Sequence, residues 1–202
     1  MTLDLKVFGK WSCRDVVVSD PGLKPYINLE LRVVLHNGGR LANKRFGKEK
    51  YHIVERLANK LMVTGHSKDT DKHIKTSGRD CGRKLKALKF VMKAFELIEK
   101  RTKENPIQVL VRAIENCAVR EEITRFRQGG IIVQKAVDTA PLRRVDLALR
   151  FITHGAAQRA FKRRKSIWEA LADEIIAAAN YDTRCYSVAK KEEIERIAAS
   201  SR

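Results

Sequence analysis

Leu85, Leu88, Val91, Met92, Phe95 and Ile98 recur at steps of one helical turn and form a single apolar stripe. Lys86, Lys89, Lys93 and Lys100 fall on another side of the same helix. A segment written this way buries one face in a core and offers the other to anions. The same period runs through Ile53, Val54, Leu57 and Leu61, through Ile107, Leu110, Val111, Ile114 and Cys117, and through Val145, Ala148, Leu149 and Ile152. Helix signals punctuate it. Asn105-Pro106 reads as an N-cap followed by proline at the first helical position, and Pro141 restarts helical structure. Ser166-Ile167-Trp168-Glu169 is a capping box for a helix running through Ala179, and Ser187 is the expected cap of a last helix ending near Ser200.

Residues 120–137 break the period. Ile123, Phe126, Ile131, Ile132, Val133 and Val137 flank Gln128-Gly129-Gly130, and β-branched and aromatic residues around a Gly-Gly turn predict a hairpin. Arg120, Arg125 and Arg127 line its first strand. A lone hairpin is marginal in water, so it should rest on the helices or gain order from a partner. Residues 1–47, punctuated by Pro21, Gly22, Pro25, Gly38, Gly39 and Gly47, read as an irregular N-terminal arm in which Asn37-Gly38-Gly39-Arg40 is a turn signal. Residues 66–83 are polar and read as a long loop. The predicted fold is mainly α: a single helical domain of about six helices over residues 48–202, with one β-hairpin and the arm.

The 202 residues carry 42 Lys+Arg against 24 Asp+Glu, a formal charge of +18, and the excess is not uniform. Residues 40–50 contribute +4, 72–103 contribute +8 and 143–165 contribute +7, while 51–71 and 104–142 are neutral and 166–202 sum to −2. Concentrating one sign costs self-repulsion that a polyanion relieves, so nucleic acid is the expected partner rather than a merely basic surface. An anionic membrane is disfavoured because no basic segment shows the clear apolar face that lipid contact needs. The longest apolar run, Ile175 to Ala179, is far short of a membrane span, and the first residues, Met1-Thr2-Leu3-Asp4, lack a signal pattern.

Catalysis finds little support. Glycine-rich nucleotide loops, nucleophile elbows and HExxH motifs are absent from the sequence. Cys13, Cys81, Cys117 and Cys185 lie far apart and read as free thiols. Asp69-Thr70-Asp71-Lys72-His73 imitates the start of a calcium loop, but Ile74 stands where glycine is needed and Asp80 where glutamate is. His66, His73 and Cys81 lack a fourth zinc ligand. No enzyme activity, metal or cofactor is expected. The candidate surfaces contact phosphate and sugar, so recognition would come from the shape of folded RNA or, in the alternative reading of an architectural DNA-binding protein, of bent duplex.

Several segments in order carry a resemblance: Phe8-Gly9-Lys10-Trp11, Asn43-Lys44-Arg45-Phe46 running into Ile53-Val54-Glu55-Arg56-Leu57, and Glu104-Asn105-Pro106-Ile107-Gln108-Val109-Leu110. Ala136-Val137-Asp138 with Pro141-Leu142-Arg143-Arg144-Val145, Leu171-Ala172-Asp173-Glu174-Ile175-Ile176-Ala177-Ala178-Ala179 and Lys190-Lys191-Glu192-Glu193-Ile194-Glu195-Arg196 complete them. From about residue 7 to 202 the chain resembles the universal small-subunit ribosomal protein seven family in its eukaryotic and archaeal form. The resemblance implies a helical domain with a protruding β-hairpin and no catalysis. It also implies binding to the 3′ major domain of small-subunit rRNA, nucleation of head assembly, contacts with neighbouring small-subunit proteins, and a hairpin near the mRNA exit and the E-site tRNA. The implied location is the cytoplasmic ribosome, with a nucleolar assembly stage if the source is eukaryotic. Two departures stand out: the 66–83 loop is longer than in relatives, and Ile131-Ile132-Val133 replaces arginines common on the return strand.

On that reading the RNA-binding residues are Arg40, Lys44, Arg45 and Lys48 on the arm, and Lys84, Lys86, Lys89 and Lys93 on one helix face. Arg125 and Arg127 serve on the hairpin, and Arg143, Arg144, Arg159, Lys162, Arg163, Arg164 and Lys165 form the main patch. Trp168 is expected to pack between helices, whereas Trp11, beside Lys10 and Arg14, is open to either packing or base stacking.

Overall fold

A computed structural model describes residues 6–30, 32, 34–66, 75–76 and 82–202. Six helices follow one another: α1 (Ile53–Leu61), α2 (Lys84–Thr102), α3 (Pro106–Cys117), α4 (Pro141–Ala160), α5 (Ile167–Ala179) and α6 (Tyr186–Ala199). Two short strands, β1 (Gly65–His66) and β2 (Lys75–Thr76), pair antiparallel between α1 and α2, and the hairpin strands β3 (Glu121–Gln128) and β4 (Ile131–Asp138) lie between α3 and α4. The mainly α expectation holds. The polar 66–83 stretch, expected as one loop, contains the β1–β2 pairing, which two extended residues make through backbone groups and no side-chain period announces. The calcium-like run Asp69–Asp80 and the trio His66, His73 and Cys81 lie outside the side chains described.

Helix α5 is the centre of the core. Ala170, Leu171, Ala172, Ile175 and Ala178 are fully buried, and α2, α3, α4 and α6 all pack on this one helix. Its alanines leave room for close approach, while Phe95 and Ile98 from α2, Leu110 and Ile114 from α3 and Leu149 and Ile152 from α4 fill the space between. Each fully buried large side chain contributes about 1.5–3 kcal/mol relative to exposure.

The helix ends obey local chemistry in most places. The Asn105 side chain accepts from the Ile107 N–H at 3.0 Å with Pro106 at the first helical position. The Ser166–Glu169 capping box is formed. Ser187, however, is not the cap of α6. That place belongs to Cys185, whose thiol accepts from the Val188 N–H at 3.5 Å. Ser187 lies inside the first turn, where its N–H and hydroxyl both donate to the buried Glu174 carboxylate, at 3.0 and 2.5 Å. A cap is chosen by which group the packed neighbour can satisfy, and α5 supplies a carboxylate at that spot.

The arm is irregular in secondary structure yet contributes to the core: Val7, Trp11, Cys13, Leu23, Ile27 and Leu35 are buried in it. Trp11 meets Phe95 edge to face, with ring centroids 5.7 Å apart, so its indole is a packing group rather than an exposed stacking surface. Side chains of α3 hold the arm by its backbone. Gln108 accepts from the Val17 N–H at 2.8 Å and donates to its carbonyl at 3.0 Å, and Glu115 accepts from the Ser19 and Asp20 N–H groups.

The hairpin register runs from Glu121 opposite Asp138 to Gln128 opposite Ile131. That leaves Gly129-Gly130 as a two-residue turn with φ of +58° and +86°. Positive φ at both positions is what the favoured two-residue hairpin turn requires.

Two tests follow from this packing. At Gly155 a Cβ would lie 2.7 Å from Glu174 Oε1 and 3.0 Å from the Tyr186 Cβ. Because Glu174 is already held by Ser187 and Arg159, Gly155→Ala should lower unfolding free energy by about 1 kcal/mol or more despite its better helix propensity, measured by urea titration. The second concerns His52, which is fully buried, accepts from the Val54 N–H through Nδ1 at 3.2 Å and meets the Cys13 thiol through Nε2 at 3.6 Å. Burial pushes its pKa down to about 4, with Arg32 adding and Glu55 opposing. The unfolded chain then binds the extra proton first as pH falls from its usual value near 6.5 to about 4, and the fold loses about 3 kcal/mol across that window. His52→Asn, which keeps a capping acceptor but cannot titrate, should flatten the stability–pH profile between pH 6.5 and 4.

Candidate nucleic-acid interface

The three basic segments of the sequence meet in space through single carboxylates. Asp146 on α4 lies 3.1 Å from Lys48, 3.2 Å from Arg56 and 3.8 Å from Lys60. Burial works against its ionisation, but Lys60 and Arg56, with hydrogen bonds from Lys48 and Arg56, hold its carboxyl below the usual range. This contact brings the arm's 40–50 segment against α4. At the far end of α2, Asp173 on α5 pairs with Arg101 and with Lys165. Between these nodes α2 is the bridge: Lys84 at its start pairs with the buried Glu55 of α1, and Arg101 lies near its end, roughly 25 Å away along the helix.

Along α2 the cations sit on aromatic rings. Lys86 Nζ lies 5.3 Å from the centroid of Phe90, Lys93 Nζ 4.7 Å from that of Trp168, and the two rings are 5.6 Å apart. Trp168 thus packs between helices, half-buried, and Lys89 of α2 is exposed. The loop from α4 to α5 continues the band: Lys162, Arg163, Arg164 and Lys165 are all exposed, with Lys162 over the Phe161 ring.

The structure sorts the predicted residues by what they already touch. Lys84, 14% exposed, is committed to Glu55, and Arg159 lies 3.0 Å from the fully buried Glu174. Arg143 makes a two-pronged pair with Glu122, at 2.6 and 2.7 Å, that fastens the base of the hairpin to α4. Arg144 donates to the Thr139 carbonyl at 2.9 Å. These four hold the fold first. Lys48 and Lys165 each have a carboxylate partner but stay exposed, and Arg45 stands over the Phe46 ring at 5.0 Å. Among the described residues, Arg40, Lys44, Lys89, Arg125, Arg127, Arg163 and Arg164 have no carboxylate partner and are exposed.

Arg125 and Arg127 share one face of the hairpin, opposite Gln134 and Ile132. The other face carries Phe126 opposite Val133 and Thr124 opposite Lys135. Ile131 and Ile132 at the tip are 70% and 66% exposed, so the distal hairpin projects into solvent. Its base is held by Arg143 on Glu122, by Arg202 on Glu121 and by packing of β3 and β4 on α6.

Arg56 and Lys60 join the site although net charge along the sequence hides them, because they sit in the segment 51–71 whose charges cancel. Lys135, the one cation on the return strand, is a further candidate outside the basic segments. Of the charges in 51–71, Arg56 and Lys60 face Asp146 and Glu55 faces Lys84, so none of the three is balanced by its neighbours along the chain.

No arrangement for catalysis is present among the described residues. Cys13 and Cys117 are buried, and burial raises their thiols to about 11 and about 12, so neither is a thiolate at neutral pH. No three His, Cys, Asp or Glu side chains gather into a metal site there, and no helix is long and apolar enough to cross a membrane.

Known proteins match this chain along its length. The family described as ribosomal protein S7p/S5e matches residues 27–202. Small ribosomal subunit protein uS7 of Methanothrix thermoacetophila is 50% identical over 198 residues, covering 98% of this chain and all of the relative. The proteins of the same name from Archaeoglobus fulgidus and Methanothermobacter thermautotrophicus are 53% and 52% identical, covering 98% and 96% of this chain and 96% and 98% of their own. With a family match over most of its length and half its residues shared with archaeal relatives end to end, the chain belongs to the ribosomal protein S7p/S5e family.

Proposed function

We propose that this protein is a structural constituent of the small ribosomal subunit that binds the 3′ major domain of its rRNA and nucleates assembly of the head. The observation that carries the reading is the convergence, on a chain of this family, of three basic segments into a band along α2, on which Arg40, Lys44, Lys89, Arg163 and Arg164 have no carboxylate partner among the described residues. Arg40, Lys44, Arg45 and Lys48 clamp phosphates from the arm side, Lys86, Lys89 and Lys93 line the helix face, and Lys162, Arg163, Arg164 and Lys165 form the exposed end of the band. Arg143, Arg144, Arg159 and Lys84 reach RNA only with the part of their charge that the internal partners leave.

The hairpin serves a different partner. Its base is anchored and its tip exposes Arg125, Arg127 and apolar side chains, which suits it to lie near the mRNA exit and the E-site tRNA once the domain is docked. The acidic C-terminal helices turn towards neighbouring small-subunit proteins. The working location is the ribosome in the cytoplasm, and the role involves no enzymatic step and no cofactor.

The purified protein should bind the 3′ major domain of small-subunit rRNA about a hundredfold (roughly 2.7 kcal/mol) more tightly than equal-length duplex DNA or an unrelated structured RNA. Filter binding from low to moderate salt measures this. Equal affinity for all three, falling together with salt, would instead support an architectural DNA-binding protein. Replacing Arg163, Arg164 and Lys165 together by Ala should weaken rRNA binding and reduce the salt slope by about two units. An unchanged slope would remove this loop from the interface.

A further inference from the structure

Between the loop of residues 41–48 and helices α1 and α4 lies a cleft of about 530 Å³, within the usual range for small-ligand sites. Its character is mixed. Leu41, Phe46, Val63 and Leu142 give it apolar walls, while Lys44, Lys48, Arg56 and Lys60 supply cations. A groove for backbone phosphate alone has no use for the apolar walls, and a groove for an apolar helix has no use for four cations. A flat base joined to a phosphate needs both.

The charge balance points the same way. Asp146 is the one carboxylate lining the cleft, and it is shared among Lys48, Arg56 and Lys60 at 3.1–3.8 Å. Glu49 adds a second negative charge near Arg56, but two acids do not neutralise Lys48, Arg56, Lys60 and Lys44. Arg56 is almost fully buried, and desolvation lowers its pKa and that of Lys60; Asp146, joined by Glu49 at Arg56, opposes this only in part, and at Lys60 the neighbouring Lys48, Arg150 and Arg56 add to it. A bound anion would complete the site.

The backbone supplies an independent observation. Phe46 adopts φ +56°, a left-handed conformation that aromatic residues rarely adopt, and the residue is 56% exposed where it lines the cleft. Gly47 follows it, where a Cβ would lie 2.1 Å from the Leu41 carbonyl oxygen, so the loop closes tightly on itself at a position that takes only glycine. Arg45 stands over the Phe46 ring at 5.0 Å. An unusual backbone that presents an aromatic ring to solvent beside unneutralised cations is a stacking platform awaiting a base.

We infer that this cleft holds a single nucleotide extruded from bound RNA, its base stacked on Phe46 and its phosphate held by Lys44 and Lys60. The inference rests on the RNA-binding reading above, and it adds a defined point at which one base leaves its helix and enters the protein.

The test uses the full chain and two probes, adenosine 5′-monophosphate and inorganic phosphate, with backbone amide shifts of Phe46, Gly47 and Val63 as the readout. The nucleotide should shift these amides at concentrations where phosphate does not. Phe46→Ala should weaken nucleotide binding about tenfold, and Phe46→Tyr should restore it. Equal shifts from phosphate, or nucleotide binding by Phe46→Ala as tight as wild type, would overturn the site. With the 3′ major-domain RNA, Phe46→Ala should cost about tenfold in affinity while leaving the salt slope unchanged, because stacking releases no counterions. An unchanged rRNA affinity in Phe46→Ala would refute the extruded base and leave the proposed function standing. Nucleotide binding that depends on Phe46 in a protein without rRNA preference would support the site and refute that function.

Discussion

Helix α5 is apolar almost all round, and a helix of that kind has to be covered on every side. Leu171 and Ile175 are fully buried among α2, α3, α4 and α6, and the alanines between them let those helices come close. Each covering helix can turn only one stripe inward, so its other face is left for solvent. On α2 that outer face is where the lysines are, and the basic band is therefore a by-product of how the core closes. The irregular arm is part of the same closure, since Trp11 reaches Phe95 and Gln108 holds the arm by its backbone.

A chain with a formal charge of +18 also has to fold against its own repulsion. It does so with a few carboxylates placed where segments distant in sequence meet. Glu55 joins α2 to the arm, pairing with Lys84 and accepting from the Asn37 N–H at 2.8 Å. Asp146 joins the arm to α4 and α1, Asp173 joins α2 to the loop before α5, and Glu174 joins α4, α5 and α6. Glu55 and Glu174 are buried, and removing one partner of a buried pair typically costs about 3–5 kcal/mol. Lys84 and Arg159, the cations held by the two buried acids, are thus structural, and the exposed ones are concentrated on the arm, the outside of α2, the 161–165 loop and the hairpin. The division between holding the fold and meeting a polyanion follows from where the acids are.

Much of this was readable from residues in order. The stripes of α1 to α4 are local patterns, since a period of 3.6 needs no knowledge of the partner helix. Asn105-Pro106 and Gly129-Gly130 act through their own backbone chemistry, and both appear where expected. The failures share a cause. Ser187 looked like a cap because its type suits one, but the buried Glu174 takes both of its donors and Cys185 caps instead. Arg56 and Lys60 were invisible because net charge counts residues along the chain and ignores which carboxylate each one faces. Trp11 could have stacked on a base or packed inside, and only the position of Phe95 decides.

By itself, then, the sequence determined the helices, the hairpin and its turn, the sign and unevenness of the charge, and, through its ordered motifs, the family. Each of these rests on interactions within a few residues or on residue identity read in order. The tertiary structure alone decided which cations are held by internal carboxylates and which face outward. It also decided that Arg143 anchors the hairpin, and that Phe46, Arg56 and Lys60 line one cleft with Asp146. Those outcomes depend on pairs such as Arg56 and Asp146, 90 positions apart, which meet only when the core has closed around α5.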